Sequence, residues 1–364
     1  MRLIIFQTGS LGDTLAAVPA LWAVRAHFSS SRITLLTDRQ RKGRFVGAQE
    51  VLDGSGLIDD WLTYPVDAGV GGKILSVPSI FSMLWEVRHR RFDGLVYLIR
   101  NRRGWLRRRD LLVFRFAGIG QFYGADGPSF PHPAEADRPL PTIPHQGEFF
   151  LKRLNQSGIP VPAPRRGRVD VGISDEERAA ARRWQQKMIG SEGRIWVAVG
   201  PGSKMPAKRW PTERFQVVVE RLIARYDIWP AVFGGPEDRE LGDSLVASWG
   251  RGTNAAGVLR IREGIAALEE CAFYLGNDTG TMHMAVSVGI SCVAIFSARD
   301  YPGLWYPYGT GHTVLRKTVE CEGCMLQTCT KQRMKCLMDI SAEEVYQAAE
   351  ALIQQQMSKI AGRE

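Results

Sequence analysis

The sequence predicts an α/β protein made of two Rossmann-like, doubly wound domains that face a cleft. Short apolar runs alternate with helical patterns through most of the 364 residues, as expected of parallel sheets with crossover helices. A proline-containing, basic passage from 160 to 168 interrupts the alternation and predicts an interdomain linker. Glycine-bearing turns follow several predicted strands, and open α/β sheets bind ligands at such turns.

The first domain is predicted to span residues 1–165. Short apolar runs predict strands, and longer stretches with a 3.6-residue period predict helices. A proline-rich passage from Pro128 to Pro144 precedes the last helix of this domain. The predicted strands are 3–7, 33–36, 61–64, 95–99 and 121–123, and the predicted helices are 14–28, 72–90, 103–117 and 146–156.

The second domain, predicted over residues 170–340, repeats the alternation. The last segment, 341–364, carries a helical pattern over 341–357 and could cross back to the first domain. The predicted strands are 195–199, 228–233, 273–275 and 291–296, and the predicted helices are 212–226, 237–249 and 261–271.

Composition is that of a globular protein, with 45% apolar and 23% charged residues. The start, Met1 to Gln7, has one basic residue and an apolar run too short for a signal peptide. No run approaches the roughly 20 apolar residues of a membrane helix. We therefore expect a cytoplasmic protein, whose six cysteines would be thiols or metal ligands rather than disulfides.

The formal net charge of +9 is concentrated in one segment. Ten arginines against two aspartates lie between Arg88 and Arg115, interleaved with aromatic residues. Such a segment could meet nucleic acid, an anionic membrane surface or a phosphorylated acceptor, or it could be solvated helix surface. Because no nucleic-acid-binding module accompanies it, we expect no nucleic-acid partner.

A glycine-containing turn, Gln7 to Thr14, follows the first strand. Gly9 and Gly12 permit a tight turn, and Asp13 would project at the edge of the sheet. The glycine spacing matches neither a Walker loop nor the dinucleotide fingerprint. The Asp13 carboxylate could therefore cap the following helix or act as a general base.

Two turns of the second domain carry charges after predicted strands. Gly200 to Ser203 precede Lys204, Lys208 and Arg209, which could clamp a diphosphate or form a basic surface loop. Glu237, just past the next strand, could hold a ribose diol or could be one of the acidic residues that are common in the first turn of a helix.

The segment from Phe273 to His283 is the most informative in the chain. An apolar run stops at a polar turn, and a helical pattern follows at once, which places free N–H groups at a strand end. Asp278 could cap this helix or take sugar hydroxyls, and Thr279 and Gly280 could cradle a phosphate. The segment could equally be an ordinary capped helix with a buried histidine, His283.

Four cysteines lie within 16 residues: Cys321, Cys324, Cys329 and Cys336. Four thiolates could bind one Zn²⁺ or iron ion, or they could be free thiols. Such a metal would be structural, because four protein ligands leave no open coordination position. Cys271 and Cys292 lie in apolar runs and are expected in the core.

Taken together, these segments resemble the bacterial heptosyltransferases, the inverting GT-B-type glycosyltransferases of lipopolysaccharide core assembly. The resemblance covers nearly the whole chain, and the order of the motifs is what makes it specific. The motifs are Gly9–Asp13, Gly202–Pro211, Phe233–Gly235, Asn277–His283 and Asp300–Pro307.

The resemblance implies an acceptor on the first domain and a nucleotide-sugar donor, often ADP-heptose, on the second. Asp13 matches the catalytic base, and Gly12 and the arginines 107, 108 and 109 would face the acceptor. The donor residues would be Gly202, Ser203, Lys208 at the phosphates, Glu237 at the ribose, Asp278 at the sugar, Thr279 and Gly280 at the diphosphate, and His283 nearby. Two departures are Lys204-Met205, where hydroxyl residues are frequent, and Thr281 in place of a frequent proline.

No catalytic metal is expected, because Lys208 and backbone amides would supply the positive charge. The acceptor would be an anionic glycolipid or glycan, with peripheral contact at the inner membrane. Cysteine quartets occur in branches that glycosylate protein, so a protein acceptor stays open. The sequence also leaves open a nucleotide-sugar epimerase of similar architecture and a non-catalytic scaffold.

Overall fold

The computed structural model describes residues 1–39, 46–67, 77–100, 104–127 and 138–361. Its contacts divide the chain into two units. The first contains Met1–Pro131 and Pro144–Gly172, and the second contains His132–Ile143 and Ile173–Glu364. Arg102 and Arg103, most of the proline-rich passage 128–144 and the start of the helix predicted from 72 lie outside the described residues.

The first unit contains one five-stranded parallel sheet with the strand order β3-β2-β1-β4-β5. The central strand β1 has four fully buried side chains from Leu3 to Phe6, as expected where helices cover both faces of a parallel sheet. In chain order the elements are β1 (Arg2–Phe6), α1 (Leu11–His27), β2 (Arg32–Arg39), α2 (Ala48–Leu52), β3 (Asp60–Asp67), α3 (Val77–Arg90), β4 (Gly94–Tyr97), α4 (Gly104–Phe116), β5 (Gln121–Tyr123) and α5 (Gln146–Gln156).

The second unit contains a six-stranded parallel sheet with the order β11-β10-β9-β6-β7-β8. The elements are α6 (Asp175–Gln185), β6 (Trp196–Gly200), α7 (Thr212–Tyr226), β7 (Trp229–Val232), α8 (Arg239–Trp249), β8 (Thr253–Asn254), α9 (Ile261–Glu269), β9 (Phe273–Asn277), α10 (Gly280–Ser287), β10 (Ser291–Phe296), β11 (Thr313–Arg316), α11 (Lys335–Met338) and α12 (Ala342–Ala361), with 3₁₀ turns at Pro206–Lys208, Pro236–Asp238 and Gln332–Met334.

The predicted α/β class and the two doubly wound sheets are confirmed. Every strand predicted from an apolar run is present, with ends that differ by at most three residues. The elements that the sequence did not reveal are α2, α6, β8, β11 and α11. They are short, as β8 is with two residues, or polar, as α6 is, so they lack the apolar periodicity on which the prediction depends.

Each sheet has one topological switch point. In the first sheet the chain moves outward from β1 to β3 and then returns to place β4 on the other side of β1. In the second sheet β9 is placed beside β6 in the same way. Open α/β sheets bind ligands outside the carboxyl ends of the strands at such points. The turns after β1 and β4, and those after β6 and β9, are therefore the expected ligand positions.

Two segments belong to the second unit through specific contacts. Leu140 N donates to Glu322 Oε2 at 2.7 Å and Ile143 N to the Pro302 carbonyl at 2.9 Å. Residues 138–143 thus pack in the second unit, although their position in the sequence lies within the predicted first domain. The long helix α12 packs on α7, with Val345 and Ile353 in the core of this unit. Its predicted return to the first domain stays a prediction.

Within the described residues, no helix combines the length and the apolarity that crossing a lipid bilayer requires.

Candidate active site

Asp13 lies at the switch point of the first sheet, in the first turn of α1 beside Gly12. Its Oδ2 accepts hydrogen bonds from Ser10 N at 3.0 Å and from Ser10 Oγ at 3.1 Å, so the carboxylate closes the helix start. Its Oδ1 lies 3.5 Å from Nη1 of Arg100, which follows β4. The Asp13 side chain keeps 27% of its surface exposed. The carboxylate is therefore held in orientation and is still accessible.

The turn before Asp13 needs a glycine. Gly9 has φ +134°, and a Cβ on this residue would lie 2.5 Å from Asp13 Cβ. The amide of Gly9 donates to Asp38 Oδ1 at 3.3 Å. Gly9 thus lets the turn pass close to Asp13 while its N–H points to a second carboxylate.

Asp38, near the end of β2, is a buried carboxylate that the sequence patterns did not single out. Its side chain is 7% exposed, and its Oδ1 also accepts from Thr37 Oγ1 at 3.2 Å. Burial raises the pKa of Asp38 to about 6 against the opposing hydrogen bond from Gly9, and the negative charge of Asp13 contributes in the same direction as burial. The available signal was an acid two residues after the predicted strand 33–36.

Lys208 and Asp278 form an ion pair across the switch point of the second sheet. Lys208 lies in the turn after β6 and Asp278 directly follows β9, and Nζ lies 2.6 Å from Oδ2. The two side chains are only 13% and 8% exposed. Of the two alternatives for Asp278, the helix cap is not observed, because Thr279 is the N-cap residue and the Asp278 carboxylate points to Lys208.

Asn277 holds the turn after β6 against the end of β9. It is fully buried, its Oδ1 accepts from Trp210 N at 3.1 Å, and its Nδ2 donates to the Pro201 carbonyl at 2.7 Å. Within the same turn, Ser203 Oγ accepts from Met205 N and the Ser203 carbonyl accepts from Arg209 Nε. Lys208 is therefore carried by a turn that several hydrogen bonds hold in place.

Two acids follow β7, and the structure gives them different positions. Glu237, the predicted ribose ligand, is partly exposed and lies 3.6 Å from Lys204 Nζ. Asp238 is buried and accepts from Gly235 N at 3.2 Å. A Cβ on Gly202 would overlap the Asp238 carboxylate, so this acid lies directly against the glycine turn. Burial, and then the charge of Glu237, raise the pKa of Asp238.

Helix α10 begins at Gly280, directly after β9 and Thr279, so its first N–H groups lie at the carboxyl edge of the sheet. The hydroxyl groups of Thr281 and Tyr274 are hydrogen-bonded, with 2.9 Å between their oxygens. His283 is buried and its ring centre lies 6.4 Å from that of Trp305, in the loop after β10.

The arginines predicted to face the acceptor lie on α4. Arg109 pairs with the neighbouring Asp110 at 3.0 Å, and Arg107 Nη1 lies 3.5 Å from the Gly127 carbonyl. Among the contacts of the described residues, the arginine beside Asp13 is Arg100 rather than Arg107, Arg108 or Arg109.

Comparison with known proteins identifies the family. A family model described as glycosyltransferase family 9 (heptosyltransferase) matches residues 154–335, which is half of the chain. The chain belongs to glycosyltransferase family 9. The matched range includes every residue predicted to bind the donor, from Gly202 to His283, whereas Asp13 and the arginine-rich segment lie before it.

Curated relatives of the family 9 chain are similar over a little less than half of its length. The lipopolysaccharide heptosyltransferase 2 of Escherichia coli is 27% identical over 183 residues, which cover 46% of this chain and 49% of that protein. The lipooligosaccharide heptosyltransferase 2 of Campylobacter jejuni is 24% identical over 177 residues, covering 47% and 55%. The chain thus spans about half the length of the curated relatives it matches.

Solved structures of family members are similar over nearly the whole chain. The glycosyl transferase family 9 protein of Veillonella parvula is 24% identical with a TM-score of 0.72, covering 97% of each chain. The E. coli ADP-heptose lipopolysaccharide heptosyltransferase II is 18% identical with a TM-score of 0.68, covering 98% and 100%. At these identities the likeness establishes the fold, which is that of GT-B glycosyltransferases.

The four clustered cysteines of this family 9 chain line one cavity of about 20 Å³, together with Ala207 and Lys331. Burial raises the pKa of the Cys321 and Cys336 thiols, and the neighbouring cysteines add to both shifts. Sulfur donors suit Zn²⁺ or iron. Nevertheless, among the described residues no group of three or more His, Cys, Asp or Glu side chains is arranged to hold a metal ion.

Proposed function

We propose that the chain is an inverting heptosyltransferase. It would transfer heptose from a nucleotide-diphosphate sugar, with ADP-heptose as first choice, to a lipopolysaccharide-core or related anionic glycolipid or glycan at the cytoplasmic face of the inner membrane. Membership of family 9 supports the reaction type. The observation that carries the proposal is the buried Lys208–Asp278 pair at a switch point, where an α/β sheet binds its ligand.

The proposed reaction begins with proton transfer. Asp13 accepts the proton of an acceptor hydroxyl as the hydroxyl oxygen attacks the anomeric carbon from the face opposite the diphosphate. The bond from that carbon to the diphosphate oxygen breaks, its electron pair leaves with the nucleoside diphosphate, and the anomeric configuration inverts. The hydrogen bonds from Ser10 to Oδ2 keep the carboxylate oriented for this step.

The second unit would stabilise the leaving group. A lysine ammonium has three N–H donors, so the contact of Lys208 with Asp278 leaves donors for phosphate oxygens. The first N–H groups of α10, with Thr279 and Gly280, would add further donors for the negative charge that develops. Lys208 and these amides would supply positive charge without a catalytic metal. Glu237, with Asp238 beside it, would receive the ribose hydroxyls.

Acceptor dependence tests the proposal. Purified protein is incubated with ADP-heptose, with and without a heptose-free core glycolipid, and ADP release is measured. We expect release only with the acceptor, and NMR of the product should show the inverted anomer. A new nucleotide sugar formed without acceptor would indicate an epimerase. A lack of binding to ADP, UDP and GDP in calorimetry would indicate a scaffold.

We also propose that Cys321, Cys324, Cys329 and Cys336 hold a structural Zn²⁺ or iron ion. Their convergence on one cavity supports this, although binding would require segment 321–336 to close around the ion. Elemental analysis of protein purified without a metal-affinity tag should find about one metal per chain. The content should fall in Cys329→Ser and stay unchanged in Cys292→Ala. Metal-free protein with four reactive thiols in this segment would contradict the proposal and leave the transferase reaction untouched.

A further inference from the structure

Exposed aromatic side chains are concentrated on α3 and α4 of the first unit. Phe81, Trp85, Trp105 and Phe116 are between 62% and 82% exposed. In the described part of the chain these four are all of the strongly exposed phenylalanine and tryptophan side chains. Scattered apolar residues on a surface need no explanation, but a concentration of large ones marks an interaction site.

The spacing places these side chains on continuous helix faces. On α4, Trp105, Leu112 and Phe116 are separated by seven and four residues and so share one face. On α3, Phe81 and Trp85 are four residues apart. The two helices enclose an apolar groove of about 510 Å³, lined by Phe81, Ser82, Leu84, Trp85, Arg88, Val113, Phe116 and Ala117.

Arg88 lines this groove, and the two helices that form it carry more arginines than acids. Helix α4 carries four arginines and a single acid, Asp110, which is buried and accepts a hydrogen bond from Tyr97. Glu86, the acid of α3, pairs with Arg90. Arg88, Arg108 and Arg115 are exposed. The two helices thus combine exposed apolar side chains with an excess of positive charge.

We propose that this surface docks on an anionic lipid bilayer. We call it the α3/α4 face, defined by Phe81, Trp85, Trp105, Leu112 and Phe116 with Arg88, Arg108 and Arg115. Tryptophan and phenylalanine partition into the membrane interface, and arginine extends to lipid phosphates while its stem stays in apolar surroundings.

Charge decides between a bilayer and a second copy of the chain. In a two-fold symmetric dimer the same patch faces itself, so the arginines of the two helices would meet like charges. An anionic membrane surface attracts the same arginines by about 1 kcal/mol each. The bilayer is therefore the occupant that satisfies both the apolar groove and the excess of positive charge.

The docking surface and the proposed acceptor site are joined through neighbouring stretches of the chain and through strands of the same sheet. Arg100, which contacts Asp13, follows β4, and α4 begins at Gly104. A lipid-linked acceptor in a bilayer docked at this face would lie near the start of α4, four residues along the chain from Arg100. Only this link depends on the proposed function, because the docking itself needs neither donor nor turnover.

Vesicle binding tests the inference with the full chain. Sedimentation would be measured with vesicles of phosphatidylcholine alone and with one third phosphatidylglycerol. We expect binding to the anionic vesicles, at least tenfold weaker in Trp85→Ser/Phe116→Ser. The variant Arg108→Ser/Arg115→Ser should bind about 30-fold more weakly at low salt, from about 1 kcal/mol per charge, and show a flatter salt dependence.

Control variants remove an exposed apolar side chain and an exposed arginine from the second unit. Ile189, which is 90% exposed, and Arg183 are exposed positions there, so Ile189→Ser/Arg183→Ser should bind vesicles like the wild type. ADP binding in calorimetry should be equal in all variants that fold. The inference is overturned if the wild type ignores anionic vesicles, or if Trp85→Ser/Phe116→Ser binds them unchanged. It is also overturned if the aromatic substitutions convert a lipid-free dimer into a monomer.

Discussion

The two switch points of this protein carry the same chemical pairing in different surroundings. At the first, the carboxylate of Asp13 lies 3.5 Å from Arg100, and the side chains are 27% and 48% exposed. At the second, the carboxylate of Asp278 lies 2.6 Å from Lys208, and the exposures are 8% and 13%. In both units a further buried acid, Asp38 or Asp238, accepts a hydrogen bond from a glycine amide, which lies in the turn after β1 for Asp38 and in the same turn for Asp238.

The difference indicates two kinds of task. An exposed, loosely paired carboxylate interacts weakly with its cation in water and can exchange a proton with a bound hydroxyl. A buried lysine–aspartate pair is fixed by its surroundings, so its cation is already oriented when an anion binds. The first switch point therefore suits proton transfer, and the second suits anion binding. Three variants test this contrast.

The largest effect is expected from Asp13→Asn. Asparagine can still accept the hydrogen bonds from Ser10, but it cannot take a proton, so kcat should fall by roughly 10²–10⁴-fold. The Kd for ADP should stay near the wild-type value. Initial rates of ADP release and calorimetry provide the two measurements.

Ser10→Ala is the matched control for Asp13→Asn. It removes the hydroxyl of the cap and retains the carboxylate, so it should reduce stability by about 1 kcal/mol and change kcat only a few-fold. Turnover of Asp13→Asn within tenfold of the wild type would assign Asp13 to the helix cap alone.

The next effect concerns Asp38 and pH. Because its folded-state pKa of about 6 lies above the ordinary value of 3.8, the folded protein keeps a proton that the unfolded chain has lost. The free energy of unfolding from this group is highest below pH 4 and falls by roughly 3 kcal/mol as pH rises to about 6. Asp38→Asn should remove this fall, as measured by urea unfolding between pH 4 and pH 7.

Asp59 provides a control of opposite sign in the same unit. Although burial opposes the shift, hydrogen bonds from Ile33 N and Arg25 lower the pKa of Asp59. Its contribution to stability is therefore present above the unfolded pKa and decreases as pH falls. At acid pH, Asp59→Asn should change the pH dependence of the unfolding free energy in the direction opposite to Asp38→Asn. Parallel profiles for the wild type and Asp38→Asn would contradict the assignment of a raised pKa.

The smallest effect is expected at the second switch point. Lys208→Met should weaken ADP binding by about 10–100-fold, because a charge-assisted hydrogen bond contributes about 1.5–3 kcal/mol. Since Asp278 would be left as a buried unpaired charge, Lys208→Met/Asp278→Asn separates the loss of stability from the loss of binding. Calorimetry and thermal unfolding measure the two.

Lys204 is the matched lysine in the same turn. It is 46% exposed and lies 3.6 Å from Glu237, so Lys204→Met should change ADP binding less than threefold. If both lysine variants weakened ADP binding equally, the contrast between a buried and an exposed cation would not explain the site.

The sequence alone determined where most elements lie and which turns carry charge. The buried parallel strands are uninterrupted apolar runs, and the turns after β1, β6 and β9 contain the residues that a ligand site at a sheet edge needs. These signals are local, because strand, turn and helix start lie within about ten residues of one another.

Which of these residues meet depends on the tertiary structure. Lys208 and Asp278 are 70 positions apart, and they pair because β9 is placed beside β6. Asp38 reaches Gly9 because β2 lies beside β1, and Asp238 rather than Glu237 is turned against Gly202. Pairing across a sheet depends on strand order and on the direction of each side chain, and both follow from the packing of the whole sheet rather than from any single stretch of sequence.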